Sequence, residues 1–124
     1  MVIGLWGTLN LSGCGTKTQP SPAAVGVYID SATSSYLRAG FDQAKTCTQL
    51  SNGSYDDLTV IVMPPVFPCS EYSTGCSGEY TEPTLIQVGD LSAWKHEVIH
   101  YLLYANTGNP DTNDTSIFFT TCVS

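Results

Sequence analysis

His96-Glu97-Val98-Ile99-His100 sets two imidazoles four residues apart, with a carboxylate directly after the first. On an α-helix, residues i and i+4 stand on one face, so both rings can reach a single divalent cation, and the glutamate can reach a water beside it. That combination is the equipment of a hydrolytic Zn²⁺ centre: two neutral nitrogen ligands and a general base. His96 and His100 are the only histidines in the chain.

The surroundings of the pair support a metal. Projected at 100° per residue, His96 and His100 share a face with Ala93, Ile99, Leu103 and Tyr104, while Val98, Leu102 and Ala105 cover the far side. Lys95 is almost the only outward polar group, so the helix is expected to be buried nearly all round. A buried imidazole needs a partner at each ring nitrogen, and a metal plus an outer acceptor supplies both. The alternative is a pair of core histidines satisfied by backbone carbonyls. Tyr101 and Tyr104 lie close enough in sequence to donate to a transition state, or are core aromatics.

A catalytic zinc takes three protein ligands and keeps one position for water. No glutamate follows Glu97, and downstream of His100 the carboxylates on offer are Asp111 and Asp114, in Gly108-Asn109-Pro110-Asp111-Thr112-Asn113-Asp114. Either can be the third ligand, and the competing reading makes both of them solvated turn residues.

The elements that must position these groups follow from periodicity. The metal-site helix opens at Asp90 or Ser92 as N-cap, runs through Trp94, Val98, Ile99, Leu102 and Leu103, and stops at Gly108-Asn109-Pro110. Strands are expected at 25–30, 58–63 and 84–88, and a second helix at 34–46 despite Gly40. Residues 66–83, rich in Pro, Gly, Ser and Glu, are expected to form a loop without an element of its own. Within it, Tyr72 and Tyr80 beside Glu71, Glu79 and Glu82 belong to a solvated stretch or, on the rarer alternative, border a cleft. The order of elements makes an α+β domain.

Composition limits the partners. The 124 residues carry 4 Lys+Arg against 11 Asp+Glu, a formal charge of −7. Four scattered cations cannot displace the counterion atmosphere of a phosphate backbone, so nucleic acid is excluded as a partner. The longest apolar stretch, from Val2 to Leu11, is broken by Gly4, Gly7, Thr8 and Asn10 and falls short of the roughly 20 residues of a spanning helix.

That stretch ends in Leu11-Ser12-Gly13-Cys14, which resembles the bacterial lipobox. The resemblance implies a diacylglycerol on the Cys14 thiol and cleavage between Gly13 and Cys14. Residues 1–13 are then a signal peptide, 14–22 a lipidated tether and 23–124 the folded domain, held at the outer side of a bacterial membrane. No Lys or Arg precedes Cys14, and the alternative is an apolar first strand with a chance cysteine. Setting Cys14 aside leaves four of the five cysteines, the even number expected of an exported domain with two disulfides. Cys69 and Cys76 bracket a short segment containing Gly75 and are expected to pair locally, leaving Cys47 with Cys122. Sequence alone allows three pairings, and a four-cysteine zinc site lacks its close C-x-x-C pair.

Through His96, Glu97 and His100 on a helix that follows a strand, the chain resembles the zincin metallopeptidases. The resemblance implies a minimal domain in which a small mixed sheet packs on a central helix at about 90–106 with one further helix, and a peptide or protein substrate cut by a monomer. The metzincin and gluzincin patterns are absent, since Leu103 and Asn106 stand where the former places its glycine and third histidine. The end of the chain looks like that of small bacterial zincin-like lipoproteins, with a Gly-x-x-Asp-x-x-His turn before an aromatic and a cysteine, here Phe118, Phe119 and Cys122. On that alignment Asp114 replaces the histidine ligand; an aspzincin alignment selects Asp111 instead. An aspartate in place of a neutral ligand lowers the charge of the site by one and makes zinc less electrophilic. A scaffold that binds zinc or protein without turnover is therefore the alternative function.

Overall fold

The computed structural model describes residues 29–69 and 72–124. The expected signal peptide, the expected tether with Cys14, and most of the strand expected at 25–30 lie outside the described residues. Of that strand only Ile29 and Asp30 are described, and neither is extended sheet. Asp30 is instead a helix N-cap whose side chain accepts from the Thr33 amide at 2.7 Å, so helix α1 spans Ser31–Thr48, three residues earlier than periodicity suggested. Leu37, Phe41 and Ala44 form its buried stripe, and Gln49 in a left-handed conformation ends it.

Three strands follow: β1 (Thr59–Val62), β2 (Gly78–Thr81) and β3 (Leu85–Val88). The sheet order is β1-β3-β2, with β1 parallel and β2 antiparallel to β3, so the sheet is mixed. β2 corrects the expectation of an unstructured loop over 66–83. Gly78-Glu79-Tyr80-Thr81 has little apolar content, and its pairing with Leu85–Val88 rather than its own composition makes it a strand.

A 3-10 turn at Leu91–Ala93 leads into α2 (Trp94–Thr107), and a one-turn α3 (Phe118–Thr121) closes the chain. α3 is a third helix where one besides the central helix was expected. Asp90 accepts from the Ser92 amide at 2.9 Å, and Gly108, at φ 79°, donates its amide to Tyr104 O to end α2. The left-handed position there is what the glycine supplies.

α2 is buried nearly all round, as its sequence implied, because two apolar clusters flank it. Val98, Tyr101 and Leu102 pack with Leu37 and Phe41 of α1 and with Ile86 and Val88 of β3. Ile99 and Leu103 pack with Phe119 and Cys122 of the C-terminal segment. The helices meet closely at Gly40, where a Cβ would lie 2.7 Å from Trp94 Cδ1, and the Trp94 indole donates to Leu37 O at 2.7 Å. Truncating fully buried Leu102 to alanine would cost about 2–5 kcal/mol.

Two disulfides, Cys47–Cys122 and Cys69–Cys76, have the pairing expected from spacing. The first ties the end of α1 to the segment behind the histidines; the second clips the loop before β2. Two such bonds are the mark of an oxidising, extracytoplasmic compartment. Among the described residues no helix is long and apolar enough to cross a membrane.

Candidate metal centre

The helical spacing does what it promised. His96 and His100 stand one turn apart on α2 with ring centroids 5.0 Å apart. His100 Nε2 lies 3.0 Å and His96 Nε2 3.4 Å from Asp114 Oδ1. One donor atom from each of the three residues falls within 4.8 Å of the others, a group that could hold a metal ion. Ligand bonds of about 2.0–2.2 Å in tetrahedral geometry set donor atoms about 3.3–3.6 Å apart. The two histidine–aspartate separations are close to those edges.

The hydrogen bond behind His100 strengthens the case. Its Nδ1 lies 2.7 Å from Pro110 O. A carbonyl only accepts, so Nδ1 carries the proton, and in the neutral ring the Nε2 lone pair then points at the Asp114 carboxylate. A lone pair facing a carboxylate oxygen at 3.0 Å is repulsive unless a cation or a second proton stands between them. The Phe119 ring braces both imidazoles from behind, its centroid 4.7 Å from that of His96 and 4.6 Å from that of His100.

Of the two candidate aspartates, Asp114 joins the histidines and Asp111 does not. Asp111 builds the loop instead. Its Oδ1 accepts from the Thr115 hydroxyl at 2.7 Å and the Thr115 amide at 3.1 Å, and its Oδ2 accepts from the Ser116 amide at 2.7 Å. Asn109 receives the Asp111 amide at 2.8 Å, and Asp111 O receives the Asp114 amide at 2.9 Å. The chain is thereby folded over so that Asp114 meets the helix. Both aspartates adopt left-handed φ values, 58° and 56°, which aspartate tolerates better than most side chains. The Thr115 hydroxyl, followed by the Thr115 and Ser116 amides, holds the Asp111 carboxyl below its ordinary range.

His96, Glu97, His100 and Asp114 line one cleft of about 870 Å³. Glu97 is 7% exposed, a carboxylate buried at the edge of that cleft beside the two histidines. The cleft is also lined by Tyr72 of the clipped loop, Glu79 and Tyr80 of β2, and Glu82 just after it. Tyr72, Glu79, Tyr80 and Glu82 thus border a cleft, the alternative that composition made the rarer one, while Glu71 lies outside the described residues. Burial raises the Tyr80 phenol well above its usual value, and its hydroxyl donates to Pro83 O at 2.7 Å.

Tyr101 and Tyr104 do not line the cleft. The Tyr101 hydroxyl is engaged by the Ser54 amide at 3.0 Å, on the core side of α2, and Tyr104 packs near the Tyr80 ring. Tyr101 is a core aromatic, and Tyr104 is half-buried. Sequence reasoning missed the Pro110 carbonyl, whose identity carries no signal, and Gly78, whose place inside a strand was not recognised. Comparison with models of known families, with curated proteins and with solved structures finds no match.

Proposed function

We propose that the chain is a zinc-dependent peptidase of the zincin kind, lipid-anchored through Cys14 outside the cytoplasm, that hydrolyses peptide bonds of segments entering the cleft. The observation that carries this reading is the convergence of His96 Nε2, His100 Nε2 and Asp114 Oδ1 in a cleft that also holds Glu97. Two imidazoles and one carboxylate suit zinc, which takes nitrogen and oxygen donors in a tetrahedron and keeps a fourth position for reaction. The lipobox-like Leu11-Ser12-Gly13-Cys14 and the two disulfides support the location.

When bound, zinc supplies a Lewis acid that acidifies water and polarises a carbonyl. His96, His100 and Asp114 would hold it, with the Pro110 carbonyl fixing the tautomer and angle of His100. Glu97 accepts a proton from the attacking water as the carbon–oxygen bond forms. It then returns that proton to the amide nitrogen as the carbon–nitrogen bond breaks, leaving a carboxylic acid and an amine.

A second reading has its own support: a zinc-binding or protein-binding envelope module without turnover. Its motivation is the third ligand, a carboxylate that lowers the charge of the centre, together with the engagement of Tyr101 by Ser54 rather than by the cleft. One experiment separates the two. Zinc content and hydrolysis of a casein or mixed-peptide substrate are measured for the wild type and for Glu97→Gln. Turnover that falls at least about a thousandfold in the variant with zinc retained supports the peptidase. Zinc without wild-type turnover supports the module, and failure to bind zinc overturns both.

A further inference from the structure

A glycine in a strand forgoes side-chain packing and often marks the close approach of another group. Gly78 opens β2 and pairs in register with Val88 of β3. Its backbone is not among the left-handed glycines, which are Gly53, Gly75 and Gly108, so an L-residue could adopt its conformation without strain. Space is what excludes a side chain. A Cβ at Gly78 would lie 3.0 Å from Glu97 Cγ, 3.2 Å from Glu97 Oε2 and 3.1 Å from Ala93 Cβ. All three contacts are on or just before the helix that carries the histidines, and two are on the buried Glu97 side chain, one of them a carboxylate oxygen.

We infer that Gly78 is a positioning residue for Glu97: the missing side chain on β2 is the seat in which the general-base carboxylate rests. The inference rests on the role proposed for Glu97 and adds how that group is held. A methyl at position 78 presses on the Glu97 methylene from one side, while Ala93 Cβ, fixed to the backbone, gives it no room to turn away. The Glu97 carboxylate must shift by a few tenths of an ångström or more. Proton transfer works over heavy-atom distances of about 2.6–3.2 Å, so a shift of that size takes up a large part of the range in which the base can act. The histidines and Asp114 have no atom among the contacts nearest that methyl and keep their places.

The test is a double-mutant cycle between Gly78→Ala and Glu97→Ala, read in two ways. In the first, thermal midpoints of the full chain are compared. Gly78→Ala is expected to lower the midpoint by roughly 3–8 °C in the wild-type background. In the Glu97→Ala background it lowers the midpoint far less, because the two Glu97 contacts are gone and only that to Ala93 Cβ remains, while alanine restricts the unfolded chain. Equal shifts in both backgrounds would overturn the inference. In the second, Gly78→Ala is expected to reduce kcat about ten- to hundredfold with KM and zinc affinity unchanged. It should cause no further loss once Glu97 is alanine.

A Gly78→Ala variant that keeps its kcat, or that loses zinc along with activity, would likewise overturn the inference. If the wild type hydrolyses no peptide, the proposed function fails on its own, and the thermal cycle still decides whether Gly78 seats Glu97. Should Gly78→Ala alone not fold while the double variant does, the coupling is supported; should neither fold, the seat is not the reason for the glycine.

Discussion

The two halves of the candidate metal centre are held by different physics. His96 and His100 sit on α2, where the helical repeat sets their spacing and two apolar clusters clamp the helix on both sides. Asp114 sits on a loop of irregular backbone, where side chains do the holding: Asp111 accepts from Thr115 and Ser116, and Asn109 receives the Asp111 amide. The helical half is built before any metal arrives, since its backbone hydrogen bonds and buried side chains do not depend on the ligands. The loop half is built by few bonds at the surface, and the region most open to local disorder is the one that completes the site. Metal affinity should therefore depend on Asp111, which contributes no ligand.

The largest effect is expected on the helical side. His100→Ala removes a donor and leaves Pro110 O without its ring partner, yet alanine keeps the helix. Zinc affinity should fall by more than about a thousandfold, beyond the 10- to 100-fold that loss of an outer partner costs. Isothermal titration with zinc, beside a far-ultraviolet circular dichroism spectrum, measures both. Retained affinity would mean that the histidines are core residues and that the helical half is no site at all.

The loop half sharpens the comparison. Asp114→Ala deletes a ligand, whereas Asp111→Ala deletes only the clamp, so the expected order of zinc affinity is wild type, then Asp111→Ala at about 10- to 100-fold weaker, then Asp114→Ala weaker still. The difference between the two lies in kind as well as size. Asp111→Ala should disorder the amides of Thr115 and Ser116, seen as lost dispersion or faster hydrogen exchange, while Asp114→Ala should leave them in place. The reverse order of affinity would make Asp111 the ligand and undo the contrast drawn above.

The same contrast explains how much of the molecule was legible in its sequence. Period 3.6 carries the positions of His96, Glu97 and His100, the apolar faces that bury them, and the glycine that ends their helix. Those came through because each depends on local spacing. Asp111 and Asp114 are two carboxylates three residues apart with the same chemistry, and only the fold of the loop, with hydrogen bonds that sequence does not announce, separates clamp from third donor. β2 was hidden for a related reason. Gly78-Glu79-Tyr80-Thr81 has one apolar side chain, and its state is decided by the neighbouring strand, a contact no local window contains. The disulfides were legible because Cys76 follows Cys69 by only seven positions, which left one partner for Cys47.

The smallest expected effect is on pH, and it isolates the clamp from the metal. Hydrogen bonds from Thr115 and Ser116 favour the charged form of Asp111 and depress its folded-state pKa below the ordinary 3.8. A depressed carboxyl contributes stability that is whole above its unfolded value and is lost as pH falls through the folded value, because the unfolded chain takes up the proton first. The loop of the metal-free protein should therefore stay ordered down to about pH 4 and loosen only below it. Following the Thr115 and Ser116 amides by NMR from pH 5 to 2 checks this. Their shifts should move with the Asp111 carboxyl and below 3.8, while amides in the middle of α2 stay still; in Asp111→Asn the transition should vanish. If the α2 amides titrate together with the loop, the two halves are one cooperative unit, and the helix is no more prebuilt than the turn that meets it.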